Sequence, residues 1–111
     1  MTIDVRQTEN AAILDLKGAL KMGEPEHAFR DTVSELLEGG TKNLAVNLAG
    51  VTEMDSSGVG ALMRAYTSTK RIGGKCRFFA APKRIMQLLK MVRLDTVLEL
   101  TDDEASALAG L

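Results

Sequence analysis

Tryptophan is absent from this sequence, and cysteine and histidine occur once each, as Cys76 and His27. A single cysteine excludes an internal disulfide and points to a reducing, cytoplasmic home. One cysteine and one histidine cannot by themselves furnish the first shell of a metal site. Aromatic residues make up 4% of the chain, too few for a single-strand nucleic-acid platform. No sign of charge dominates: 14 Lys and Arg stand against 15 Asp and Glu, so nothing drives the chain generally toward nucleic acid. No apolar run approaches the ~20 residues that span a bilayer, and Met1-Thr2-Ile3-Asp4 lacks the basic start of a secretory leader. With 45% hydrophobic residues in 111, the chain suits one domain, residues 1–111. A domain of that size buries roughly two-thirds of the surface its unfolded chain exposes.

Hydrophobic periodicity then orders the chain. Ile3–Arg6 and Ala12–Leu16 read as two short strands joined by a polar turn, with Gly18 ending the second and Ala19–Gly23 a loop. Pro25 suits the first turn of a helix whose apolar face is Phe29, Val33, Leu36 and Leu37, and Gly39-Gly40 stops it. Leu44–Leu48 is apolar nearly throughout, as in a strand covered on both faces. Val59–Ile72 is amphipathic, with Val59, Leu62, Met63 and Tyr66 on one side. Arg77–Ala81 is the next strand, with Phe78 and Phe79 on opposite faces. Pro82 opens a helix striped by Ile85, Leu88, Leu89 and Val92, and Val97–Leu100 is a last strand. Thr101-Asp102-Asp103-Glu104 has the capping-box spacing ahead of a short helix, Ala105–Leu108. A hairpin followed by alternating helices and strands implies an α/β domain of about four helices, mostly parallel after one antiparallel pair. The order of the strands in the sheet stays open.

The stretch Met54-Asp55-Ser56-Ser57-Gly58-Val59-Gly60 joins the central strand to the second helix. Asp55 or Ser56 can cap that helix, which puts Ser57 in the first turn near the surface. A phosphate on Ser57 would be tolerated there by the positive end of the helix dipole. Gly58 and Gly60 cost up to ~1 kcal/mol each relative to alanine so early in a helix. Something other than helix stability therefore sets them, and close approach of a partner backbone or a nucleotide phosphate is one reason.

That motif, preceded by a strand ending Val46-Asn47-Leu48, resembles the signature of the STAS domain family and specifically its bacterial anti-sigma factor antagonists. Leu16-Lys17-Gly18-Ala19-Leu20, Arg71-Ile72-Gly73-Gly74 and Leu88–Leu94 are similar to other turns of the family, so the resemblance spans nearly the whole chain. It implies a STAS-type fold and no enzymatic activity of the chain's own. It also implies phosphorylation of the second serine, Ser57, with Ser56 as the alternative. The partner implied is an anti-sigma factor serine kinase, which would hold the ATP, so no cofactor is expected here. A phosphatase is a further expected partner; direct nucleic-acid contact and membrane insertion are not. The surface implied for partner binding comprises Gly18, Leu20, Lys21, Met54, Asp55, Ser56, Gly58, Val59 and Gly60.

Two departures from the family pattern bear on this. Lys21 stands where many antagonists carry an acidic residue, and a cation there would soften repulsion between Asp55 and a phosphate. Arg93 stands where glycine is common, which implies strain of order 1 kcal/mol if the position is left-handed.

Rival chemistries fit less well. A hydrolase elbow needs glycine two residues before and after the serine; Ser57 has Asp55 and Val59 there, and His27 reads as a surface residue of the first helix. Gly58-Val59-Gly60 lacks the third glycine of a dinucleotide loop, since Met63 takes that place. Cys76 reads as core, Met54, Met63, Met86 and Met91 mostly as core fillers, and Lys83-Arg84 as a solvated helix start. The remaining alternative is a STAS module that binds without switching, as in stress-signalling scaffolds or accessory subunits of lipid ABC transporters.

Overall fold

The computed structural model describes residues 1–111. Strands β1 (Thr2–Gln7), β2 (Ala12–Leu20), β3 (Leu44–Met54), β4 (Cys76–Phe79) and β5 (Glu99–Thr101) form one sheet. Helices α1 (Glu24–Glu38), α2 (Ser56–Arg71), α3 (Lys83–Met91) and α4 (Glu104–Leu108) complete the fold, with a short 3-10 turn at Leu94–Thr96. The strands lie side by side in chain order. Only β1 and β2 are antiparallel; β2–β3, β3–β4 and β4–β5 are parallel. The expected α/β architecture, with its N-terminal hairpin and four helices, is the observed one.

Strand order decides where the helices go. Three crossovers step across the sheet in the same direction, and right-handed connections then deliver α1, α2 and α3 to one face. The main core lies under them: Leu14, Leu16 and Leu20 of β2, Leu44, Val46 and Leu48 of β3 and Phe78 of β4 meet Phe29 and Val33 of α1, Ala61, Leu62 and Ala65 of α2, and Ile85 and Leu89 of α3. Each large apolar side chain fully buried here contributes about 1.5–3 kcal/mol. Residues of opposite parity, Ile13, Ala45 and Phe79, form a smaller core beneath Ala107 of α4. Phe78 and Phe79 thus do serve opposite faces.

The short α4 is held from both ends. Arg6 of β1 donates to Asp15 at 2.7 and 2.9 Å and to Glu104 at 2.6 Å, while Arg77 donates to the carbonyl of Ala107 at 3.0 Å. Asn47 donates to Asp15 at 2.8 Å, so the polar outer half of β3 joins the same cluster. The double covering expected of Leu44–Leu48 therefore holds for Ala45, whereas Asn47 is only part-buried.

Several expected boundaries move. Gly18 does not end β2: it takes a left-handed φ of 108° at a register shift, and the strand runs on to Leu20. β3 extends past Leu48 to Met54, because β2 continues to pair with it. The face α2 buries is turned from the expected stripe: Gly58, Ala61, Leu62, Ala65 and Thr69 are buried, while Val59, Met63 and Tyr66 are part-covered. Small residues in the centre of that face let the helix approach the sheet closely. Val92 follows the last turn of α3 at 45% exposure and Met91 is 79% exposed, so neither fills the core. Asp103, not Thr101, caps α4, accepting from Ser106 N at 2.8 Å, because Thr101 is still the last residue of β5. Arg93 does adopt the left-handed conformation, φ 62°, and Ala80 joins it at φ 58°.

Candidate functional site

The parallel pairing of β2 with β3 ends at Leu20 opposite Met54, so the segments that leave these strands emerge side by side. One is Lys21-Met22-Gly23, leading into α1; the other is Asp55, leading into α2. Gly23 precedes α1 with φ 101°, a conformation costly for any side-chain-bearing residue, and this turns the first segment back toward the second.

Asp55 couples the two. Its backbone is extended, one carboxylate oxygen accepts the N–H of Gly58 at 3.0 Å, and the other accepts the N–H of Met22 at 3.0 Å. These bonds, Met22 first and Gly58 second, hold the carboxyl below its ordinary range, with a smaller contribution from the Lys21 cation. Asp55 is therefore a helix cap and a cross-brace between loops. Each oxygen already accepts one backbone N–H and keeps a further lone pair, and the Ser57 N–H adds to the lowering after those of Met22 and Gly58.

Ser56 and Ser57 follow as the first two residues of α2, Ser56 exposed and Ser57 part-exposed. Gly58 is buried, and its lack of a side chain has an internal cause. A Cβ there would lie 2.2 Å from the Leu20 carbonyl oxygen and 2.7 Å from Met54 Cγ. Close approach to a partner is thus not what requires glycine at 58; seating α2 on the end of β2 is. Gly60 is different, because a Cβ there would meet only the guanidinium of Arg64, at 3.4 Å.

The expected partner surface divides accordingly. Asp55, Ser56, Ser57, Val59 and Gly60 gather at the head of α2, with Met54 and Lys21 beside them. Leu20 is fully buried and cannot present its side chain to a partner. Gly18 lies further down β2, opposite Met1, where a Cβ would come within 3.3 Å of that residue's backbone. Lys21 is taken up chiefly by Glu53, at 2.9 Å, and feels Asp55 only secondarily. A shallow depression beside the pair is lined by Thr52, Met54, Asp55, Arg84 and Leu88.

Met22, 74% exposed next to its bond to Asp55, is a site feature that the sequence reading did not single out. An apolar residue between Lys21 and Gly23 in a turn was the available signal. Other candidates lie elsewhere. The His27 side chain is 60% exposed on α1. Cys76 is buried, and burial pushes its thiol up to about 12. No three or more His, Cys, Asp and Glu side chains gather as metal ligands. No helix is long and apolar enough to cross a membrane.

Comparison with known proteins adds relatives to this geometry. The model of the STAS domain matches residues 2–107. The anti-sigma-B factor antagonist of Bacillus subtilis is 24% identical over 101 residues, 91% of each chain. Among solved structures, a Thermotoga maritima protein proposed to be an anti-sigma factor antagonist superposes with a TM-score of 0.88 at 22% identity, covering 95% of this chain and 90% of that one. The Bacillus cell fate determinant SpoIIAA in its phosphorylated form gives a TM-score of 0.74 at 17% identity, over 95% of this chain and 96% of that one.

Proposed function

The chain belongs to the STAS domain family, and on that premise we propose that it is an anti-sigma factor antagonist switched by phosphorylation of Ser57. Unphosphorylated, it binds an anti-sigma factor serine kinase through the head of α2 and the neighbouring Lys21–Gly23 segment, and so releases a sigma factor. The kinase holds ATP and transfers the terminal phosphoryl group to the Ser57 hydroxyl; a phosphatase resets it. The supporting observation is the placing of Ser57. It is part-exposed on the first turn of a helix whose cap, Asp55, is pinned to two backbone N–H groups. Phosphoryl transfer demands a positioned nucleophile and little else from the acceptor chain.

The switch follows from charge. Phosphorylation adds about -1.5 to -2 charges at neutral pH. Opposed at ~6 Å by one partner carboxylate, at an effective dielectric of about 40, this costs ~2 kcal/mol, roughly a thirtyfold loss of affinity. Lys21 offers little relief, because Glu53 already holds it. No refolding is needed. SpoIIAA matches this chain in fold in its unphosphorylated and in its phosphorylated form, which supports a switch that keeps the fold.

Titration calorimetry against the anti-sigma kinase tests the reading. Ser57→Ala should bind at all times, and Ser57→Asp should bind at least tenfold more weakly, since a full phosphate costs ~2 kcal/mol. Equal affinity of the two variants would make the chain a non-switching STAS module instead.

A further inference from the structure

Glu26, on the first turn of α1, is the one charged residue that this fold buries, at 6% exposure. Two arginines and a histidine crowd its carboxylate. Arg64 of α2 donates to its Oε1, Arg30 stands 3.7 Å from the same oxygen, and His27 lies 3.6 Å from Oε2. Two permanent cations therefore share one carboxylate oxygen, and each repels the other. Both arginine side chains keep about half their surface in solvent, 54% for Arg64 and 50% for Arg30, so either can move without unpacking the core. If Arg64 leaves, Arg30 needs only a shift of ~1 Å to reach hydrogen-bonding distance. The buried carboxylate then stays partnered.

The place to which Arg64 could go is set by helix geometry. Ser57, Gly60 and Arg64 fall at i, i+3 and i+7 on α2, a single face. Long helical side chains lean toward the N-terminus, here toward Ser57. The guanidinium already lies over Gly60, one turn from Ser57, where its Nη1 would be 3.4 Å from an added Cβ. Glycine at 60 keeps that path open.

We propose that Arg64 is the residue that binds the phosphoryl group on Ser57, exchanging Glu26 for the phosphate while Arg30 takes Glu26 over. This deepens the switch above and rests on Ser57 being the modified residue. Other charged groups at this end of the molecule are Lys21, Glu53 and Asp55 from the strand ends, Glu24, Glu26, His27 and Arg30 from α1, and Lys83 and Arg84 from α3. Only Arg64 shares the Ser57 face of α2 and is one of two cations on a single acceptor.

The test uses the full chain with phosphoserine installed chemically at position 57, and follows its second ionisation by phosphorus NMR. A cation drawn to the dianion lowers that midpoint. Arg64→Gln should raise it by about half a pH unit relative to the parent. Arg64→Lys should recover part of the shift. Glu26→Gln, which frees Arg64, should move the midpoint below that of the parent. Equal midpoints in the parent and Arg64→Gln would overturn the proposal. So would a shift produced by Lys21→Gln alone, which would give the phosphate to the other side of the helix. Melting of each unphosphorylated variant establishes that it is folded. Since the phosphate is installed rather than transferred, failure of a kinase to modify Ser57 would strike the switching reading and leave this result standing.

Discussion

Replacing Gly58 by alanine sets two effects of known sign against each other. Helix propensity alone favours alanine by up to about 1 kcal/mol. The structure opposes it: the new methyl would sit 2.2 Å from the Leu20 carbonyl oxygen and 2.7 Å from Met54 Cγ. The nearer obstacle is backbone in a fully buried part of β2, so it cannot rotate aside. The head of α2 must retreat by ~1 Å, and overpacking of this kind costs typically 1–3 kcal/mol. Because the obstacle is backbone, the upper part of that range applies, leaving a net loss of about 2 kcal/mol. For a domain of this size that lowers Tm by roughly 8 °C. Gly60→Ala is the matched control. It meets only the mobile end of Arg64, at 3.4 Å, and should raise Tm by a few degrees through propensity. Melting followed by circular dichroism, with urea unfolding for the free energies, reads both. A Gly58→Ala protein as stable as the parent, or more so, would refute the claim that packing on β2 fixes this glycine. Affinity for the kinase should fall with Gly58→Ala even where the protein is folded, because Ser57 rides on the turn that moves.

Other outcomes follow from the same structure. Arg93→Gly should stabilise the fold by about half a kcal/mol in urea unfolding, since a left-handed residue with a side chain is replaced by one that adopts φ 62° freely, less the extra chain entropy of glycine. Cys76, with its thiol raised by burial, should resist alkylation by iodoacetamide in the native state and react at the rate of unfolding in urea. Asp15, held low first by Arg6, and Asp55, held low first by the Met22 N–H, bind protons less readily folded than unfolded. Their contribution is therefore complete above the ordinary carboxylate range and lost as pH falls through their folded values. Melting temperature should be flat near neutrality and drop in acid, and Asp15→Asn should flatten that drop.

Much of the fold was legible because its signals are local. Phe29 and Val33 recur on one face of α1, Phe78 and Phe79 alternate across β4, and glycine pairs mark two helix ends. What escaped was long-range. The chain-order sheet, the extension of β3 to Met54 and the turning of α2 onto Gly58, Ala61 and Ala65 all depend on which strand lies beside which. The site divides in the same way. The capping role of Asp55 and the placement of Ser57 in the first turn could be read from spacing. The bond from Met22 to Asp55, 33 residues apart in sequence, could not, nor could the capture of Lys21 by Glu53. Gly58 misled because a residue without a side chain reads alike whether it faces a partner or its own sheet.

The central claim is that Ser57 carries the switch, and mass spectrometry of the protein taken from its own host tests it most directly. Trypsin releases Asn43–Arg64, which contains Ser56 and Ser57 as its only serines, and fragmentation separates the two. The account predicts phosphate on Ser57, rising and falling with growth conditions. Phosphate on Ser56 alone, or none under any condition in which the sigma factor changes state, would contradict it.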